Sequence, residues 1–295
     1  MIKKFIKEKV NNLLNFNEVN RKQNIILRNI GLIVSKLNQK ESFDEINKYE
    51  FQIFSQFGDD GIIQYLINNI NFLNKKFIEF GVENYEEANT RLLLEKDNWS
   101  GLIIDSGKDN IAYIKKQDFY WKYKLSVECN LITTKNINSI IKNNGFSGDL
   151  GVLSIDIDGN DYWIWKEINN VSAAIVVIEY NARFGENLSV TIPYQEKFKR
   201  QSKNNLYYGA SLKALFKLAK EKRYSLICTN KNGNNAYFIR NDLIPVNHSI
   251  IKERTPSECF NINSFKEYMD SGKNIISLTK EEETKILSQS ELVEI

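Results

Sequence analysis

Short apolar runs alternate with helix-spaced apolar stripes along this chain, and glycine or aspartate interrupts them at recurring places. Phe77, Ile78 and Phe80 form a strand-like run that Gly81 breaks. Residues 87–96 set Leu92, Leu93 and Leu94 among polar neighbours, as a helix packed on a sheet does. A second run, 102–104, follows Gly101 and stops at Asp105. Residues 76–105 therefore predict a βαβ unit with Glu79, Gly81 and Asp105 where its strands end. Open α/β sheets bind ligands at those carboxyl ends. Upstream, residues 54–70 predict a turn and then a helix whose core side carries Ile62, Ile63, Leu66, Ile67 and Ile70, with Asp59 and Asp60 suited to its start. Downstream, the pattern predicts helices over 110–117, 137–142 and 211–222, and strands over 123–127, 151–157 and 171–180. A hairpin over 224–229 and 236–240 turns on NKNGNN. The expected fold is α/β, a Rossmann-like sheet, mostly parallel, whose last strand runs antiparallel.

Residues 1–50 read as an N-terminal helical extension. Ile2, Phe5, Ile6, Val10, Leu13 and Leu14 share one face between lysines, and Ile25, Ile26, Ile30, Ile33, Val34 and Leu37 continue the stripe. Such a segment suits packing on its own domain or on a second copy, so a homo-oligomer is expected. Its lysines also allow weak contact with a membrane surface. The main domain is expected over 51–245, with 181–208 as an insertion long enough to carry function, and 246–295 as a C-terminal extension without an assigned role.

Composition narrows the partners more than the fold. The chain has 295 residues, 42% apolar and 12% aromatic, enough for a sizeable core. A net charge of +3 with dispersed lysines argues against nucleic acid. Cys129, Cys228 and Cys259 lie far apart and show neither metal-ligand nor redox spacing. With no signal-like start and no run long enough to span a bilayer, the expected location is the cytoplasm, without a transmembrane segment.

The loop after the first strand carries Gly81 followed by Val82, Glu83, Asn84, Tyr85, Glu86 and Glu87. A pyrophosphate cradle wants three glycines at fixed spacing, which this loop lacks. Its carboxylates repel a phosphate and tolerate a cation, although Glu83, Glu86 and Glu87 are better read as a helix start facing water, which leaves Glu79 and Asp105 unexplained. S-adenosylmethionine fits such a loop, having a ribose, no phosphate and a sulfonium. Glu79 and Gly81 would shape its site, and Asp105 would take the ribose hydroxyls. Two further clusters fall at strand ends: Asp156, Asp158, Asn160 and Asp161 in SIDIDGND, and Glu179 with Asn181 in IEYNARFG. Neighbouring strands are ~5 Å apart, so these groups can converge. Asp158, Glu179 and Asn181 suit Mg²⁺ or Mn²⁺, which would lower the pKa of a substrate hydroxyl; without metal, Asp158 or Glu179 suits a general base. Asp156 alternatively bonds backbone amides, and Asp161 reads as a helix cap. In the insertion, Arg183, Tyr194, Tyr207 and Tyr208, along with Asn160, suit a carbohydrate. His248 is the only histidine and lies apart from these clusters, and no nucleophile elbow occurs.

At these residues the chain resembles the FkbM-type methyltransferases of bacterial surface-polysaccharide loci, which have the class I methyltransferase fold. The likeness rests on EFGVENYEEANT, whose final residues include Asn89 and Thr90, and on DIDGND, IEYNARFG, SVTIPY, YYGASLKAL and GNNAYFIRND. It covers about residues 54–242 and departs at the first loop, where a second glycine is missing. The resemblance implies S-adenosylmethionine as donor, bound by Glu79, Gly81, Asn89, Thr90, Asp105 and Asp156. It implies a sugar or nucleotide-sugar hydroxyl as acceptor, for a capsule, lipopolysaccharide or flagellar glycan. Other readings are a different nucleotide- or nucleotide-sugar-using enzyme on the same sheet, and a non-catalytic assembly partner.

Overall fold

The computed structural model describes residues 2–72, 74–200, 205–263, 266, 268–270 and 273–295, with side chains from residue 19 onward except Asn20. Seven strands form one sheet: β1 (Lys76–Phe80), β2 (Ser100–Asp105), β3 (Leu125–Cys129), β4 (Gly148–Ile155), β5 (Val171–Glu179), β7 (Tyr224–Thr229) and β8 (Asn235–Arg240). Their order is β3-β2-β1-β4-β5-β8-β7. All run parallel except β8, which is antiparallel to both β5 and β7. The remaining named strand used below, β6 (Val190–Thr191), lies outside this sheet.

Side-chain alternation divides the core between the two sheet faces. Ile78, Phe80, Leu102, Ile104, Leu153, Ile155, Val176 and Ile178 pack on one face. Phe77, Ile103, Val152, Ile175 and Val177 pack on the other. Because these inner strands are buried on both faces, their sequences are nearly continuous apolar runs, which is why the strands were recognisable. The ends of the elements moved by a few residues. The first crossover helix, α3, covers only Arg91–Glu95, and the helix expected over 110–117 is replaced by Lys108–Ile114 and Asp118–Lys122.

Register levels the carboxyl ends. Phe80 lies opposite both Ile104 and Ile155, and Ile155 lies opposite Ile178. Gly81, Asp105, Asp156 and Glu179, each one residue beyond these positions, therefore share one sheet edge. At that edge the β1 loop and the β4 loop nearly touch. Gly81 has φ +69°, and its N–H donates to Ile104 O at 3.0 Å. A Cβ there would lie 1.6 Å from Asp156 O.

The N-terminal helix α1 (Ile2–Asn38) meets the domain through Gly31 and Ser35, both buried. A Cβ on Gly31 would come within 2.9 Å of Leu92. Ile25, Ile26, Ile30, Ile33 and Leu37 face solvent, so the apolar stripe read from the sequence is not the face that packs on the domain. The stripe positions Ile2, Phe5, Ile6, Val10, Leu13 and Leu14 lie outside the described side chains. No helix among the described residues is long and apolar enough to cross a membrane. At the other end of the chain, Val293–Glu294 pairs antiparallel with β6, so the C-terminal extension closes on the insertion.

Replacing Gly81 with alanine combines a left-handed backbone with a collision against a carbonyl. The expected loss of stability is on the order of 3 kcal/mol or more. It would appear as a lower urea midpoint at unchanged slope; an unaltered midpoint would show that the loops do not cross this closely.

Candidate functional site

The first loop is held by an acid turned inward. Glu79 accepts from the amides of Asn89 (2.8 Å) and Thr90 (3.1 Å), from the Thr90 hydroxyl (2.5 Å) and from Ser154 Oγ (3.3 Å). Burial raises its pKa, and these bonds oppose the shift. Asn89 Nδ2 donates to Ser154 Oγ at 3.1 Å, and the Thr90 hydroxyl also meets the Tyr85 hydroxyl. Glu79 and Thr90 therefore fasten the loop. Thr90 borders neither strand-end cavity described below, which corrects its expected place against the cofactor, whereas Glu79 and Asn89 border the smaller one.

Asp105, at the end of β2, accepts from Glu83 N at 2.9 Å on one oxygen and from Gly107 N at 2.6 Å on the other. It borders a cavity of about 620 Å³ over the ends of β1, β2 and β4. Glu83, Asp156 and Asp158 are among its acidic walls, and Ile104, Leu131 and Ile132 make an apolar side. A second cavity of about 200 Å³ adjoins it, bordered by Glu179, Gln56, Asn89, Asn234 and Asn235. Gly81, Glu83, Asp156, Asp158 and Arg200 border both.

The second loop is again built on an inward acid. Asp161 accepts from Ile157 N at 2.8 Å and from Gly159 N at 2.9 Å, and burial lifts its carboxyl to about 6. It is not the helix cap expected of it: Asn160 takes the N-cap position of the helix Asp161–Glu167, and Asp161 braces the turn before it. Asp158, left by this turn at φ +59°, stays exposed at the rim. Asn160, expected to meet substrate, exchanges bonds with the Gln195 backbone: its Nδ2 donates to Gln195 O at 2.8 Å, and its Oδ1 accepts from Gln195 N at 3.3 Å. It borders the larger cavity while pinning the insertion to this loop.

Asp156, Asp158 and Glu179 converge at the sheet edge. One oxygen of each lies within 4.8 Å of the others. Glu179 is 5% exposed, and its Oε2 has no hydrogen-bond partner among the described residues. Burial and Asp156 push the Glu179 carboxyl well above the usual carboxylate range, against a pull from Arg200. Burial, then Asp158 and Asp161, pushes Asp156 up as well. Like charges this close do not all ionise without a counter-charge. Arg200 supplies one: its Nη1 lies 2.8 Å from Asp158 Oδ1 and 3.2 Å from Glu179 Oε1. No local pattern marked Arg200, which stands among other basic residues in the insertion.

Several expected site residues lie elsewhere. Asn181, proposed for catalysis and for metal, is wholly buried. Its Nδ2 donates to Leu206 O (2.8 Å) and Tyr208 O (3.1 Å), and its Oδ1 accepts from Arg183 N (3.1 Å). It folds the insertion and leaves the third place among the acidic oxygens to Asp156. Arg183 pairs with Glu283 at 3.1 Å in a separate cavity under the C-terminal extension. The Tyr194 hydroxyl accepts from Thr134 N at 3.3 Å, and the Tyr207 hydroxyl donates to Glu291 O at 2.5 Å. Tyr208 lies buried beneath the Arg200 guanidinium, 3.5 Å from its ring centre. None of these four borders either strand-end cavity, so the expected aromatic sugar platform is not assembled there. Asp59, read only as a helix start, instead ties the hairpin loop: its Oδ1 accepts from Asn230 and Asn235 at 3.0 Å each and from the Tyr237 hydroxyl. Gln56, just ahead of the helix that begins at Asp59, borders the smaller cavity.

The strand order, the single reversed strand and the ligand-sized cleft at the carboxyl ends are now all in place. The sheet is that of a class I methyltransferase. No family model and no curated protein sequence matches the chain. Among solved structures, it is similar to the N-terminal domain of EvdMO1 with SAH bound, at 10% identity and TM-score 0.41, over 63% of this chain and 80% of that one. It is also similar to an O-methyltransferase from Bacillus cereus in complex with SAH (13%, TM-score 0.39, 72% and 89%). A third is an S-adenosylmethionine-dependent methyltransferase from Clostridium acetobutylicum (9%, TM-score 0.39, 61% and 89%). Likeness at this level says nothing of what this chain binds; its own strand order establishes the fold.

The raised carboxyl of Asp156 has a consequence for stability. A group whose pKa is higher in the folded state than in the unfolded chain stabilises below the unfolded value and loses that contribution as pH rises through the folded one. Above the unfolded value the raised Asp156 carboxyl therefore costs stability. Asp156→Asn should raise the melting temperature at pH 7–8 by about 2–4 °C, for a gain of about 1 kcal/mol, and the gain should vanish below about pH 4. A variant that melts lower than the parent at pH 8 would contradict the crowding of charge.

Proposed function

We propose that this chain is an S-adenosylmethionine-dependent O-methyltransferase acting on a sugar hydroxyl, in a surface glycan or its nucleotide-linked precursor. The supporting observation is the pair of adjoining cavities that share Asp156, Asp158 and Arg200 at the carboxyl edge of a methyltransferase-type sheet. The larger has the size of ordinary small-molecule sites. Its apolar side at Leu131 and Ile132 suits a purine, and Asp105, on the neighbouring strand end, suits vicinal ribose hydroxyls. Glu83, Asp105, Asp156, Asp158 and Glu196 outnumber Lys199, Arg200 and Lys266 in the lining, a balance that favours a sulfonium over a phosphate. Burial and the acids around it raise the Glu83 carboxyl as well, as expected where a cation is wanted.

When bound, the cofactor supplies an electrophilic methyl group on sulfur. The smaller cavity then receives the acceptor. Gln56, Asn89, Asn234 and Asn235 provide amides for a polyhydroxylated molecule. Glu179 Oε2, unpartnered among the described residues, takes the proton of the reacting hydroxyl. Loss of that proton to Glu179 would accompany transfer of the methyl group to the oxygen, with a neutral thioether as the leaving group, and Glu179 would then return the proton to water. A carboxylate of raised pKa is a stronger base than an ordinary one, and the enclosed cavity orients the attack.

Calorimetry with S-adenosylhomocysteine tests the cofactor half, with binding expected and a weakening of at least about tenfold in Asp105→Ala. Glu179→Gln should keep that binding and lose about 10²–10⁴ in the rate of methyl transfer. Activity of the parent enzyme should fall as pH drops through the raised Glu179 pKa, because protonation removes the base. Absence of S-adenosylhomocysteine binding to the folded protein would overturn the reading.

A further inference from the structure

We propose that Arg200 is the resident cation of the acidic cluster, standing in the place where a divalent metal would otherwise be held. Asp156, Asp158 and Glu179 offer three oxygens within 4.8 Å, a set that by itself resembles a magnesium or manganese site. One guanidinium nitrogen already bridges two of the three, at 2.8 and 3.2 Å. A metal and this nitrogen cannot share the position. The residues as arranged therefore do not fit a metal unless Arg200 leaves.

The geometry holds Arg200 in place. Its Nε donates to Asn205 O at 3.1 Å, its plane lies over the buried Tyr208 ring, and its side chain is only 14% exposed. Tyr208 and Asn205 are themselves set by the insertion, whose backbone Asn181 grips at Leu206 and Tyr208. A stacked guanidinium with two of its nitrogens anchored is a preorganised charge and little resembles a flexible lysine. Its contact is also selective. Nη1 meets Glu179 Oε1, while Oε2 has no hydrogen-bond partner among the described residues. Arg200 thus steadies one oxygen of Glu179 and offers the other to the acceptor. In that role it is a positioning residue acting through Glu179. This role rests on the methyltransferase reading above, whereas the exclusion of metal rests on the cluster alone.

The full chain and its variants can be titrated with Mn²⁺, following free ion by electron paramagnetic resonance. The parent should bind no Mn²⁺ at the cluster up to about 1 mM, and Arg200→Met should gain a site at least about tenfold tighter that disappears in Arg200→Met/Glu179→Gln. Arg200→Lys, which keeps the charge, should bind less than Arg200→Met. In activity assays the acid limb of the pH profile should move upward in Arg200→Met, by about one unit, because Asp156, Asp158, Asp161, Glu83 and Glu179 would then crowd without their counter-charge. Mn²⁺ binding by the parent that Glu179→Gln abolishes would overturn the proposal whether or not Arg200→Met folds; so would equal Mn²⁺ affinity in parent and Arg200→Met. S-adenosylhomocysteine binding to the parent is scored separately, so failure of the metal arm leaves the cofactor reading standing, and the reverse.

Discussion

Crowding of negative charge at the carboxyl edge of the sheet is the constraint to which the rest of the structure answers. Level register brings Gly81, Asp105, Asp156 and Glu179, at the ends of β1, β2, β4 and β5, side by side, and three of those four positions are acidic. Burial would make Asp156, Asp161 and Glu179, with Asp158 at the rim beside them, untenable without compensation. Compensation comes in two forms, and they separate scaffold from site.

Acids of the first kind are satisfied by nearby backbone amides. Glu79 fastens 89–90, Asp60 accepts from the amides of Ile53, Phe54 and Ser55, and Asp161 closes 157–159. Each converts a loop into a rigid platform, although at Asp60 the amides all fall on Oδ2 and Oδ1 has no partner among the described residues. Asp105 is intermediate: amides occupy both its oxygens, yet it borders the larger cavity. Asp156 and Glu179 belong to the second kind. Arg200 opposes the charge of both, the Asp158 amide helps Asp156 alone, and Glu179 keeps an oxygen without a partner among the described residues. Raised carboxyl pKa values alone do not tell these kinds apart, since Glu79 and Asp161 are raised too. What separates them is the partner: amides for Glu79 and Asp161, a guanidinium for Glu179.

Much of this was legible in the chain, for a local reason. A buried parallel strand announces itself by a continuous apolar run, and its end by the glycine or acid that follows. That was enough to place Glu79, Gly81, Asp105, Asp156 and Glu179 at one edge before any coordinates. The errors came where a side chain's partner is distant in sequence. Asn181 looked like a ligand beside Glu179, but its amide is spent on carbonyls 25 and 27 residues on. Arg183 found Glu283, 100 residues away, and Tyr207 found Glu291, 84 away. Arg200 had the opposite fault: its importance comes from two carboxylates 42 and 21 residues upstream, and nothing adjacent to it carries that information.

The same long-range pairings give the C-terminal extension a purpose that its mixed composition concealed. Val293–Glu294 adds a strand to β6, Tyr207 donates to Glu291, and Arg183 pairs with Glu283. Leu287 joins Phe184, Val190, Ile192, Leu206 and Tyr207 in a small third core. These contacts grip the insertion on the side away from the sheet edge, while Asn160 and Asn181 grip it from the sheet. Arg200 is carried on the segment between them. A fixed guanidinium is useful only if its base cannot drift by a fraction of an ångström, because its two short contacts are directional. Precision at the acidic cluster therefore depends on residues close to the end of the chain, which touch neither cavity at the strand ends.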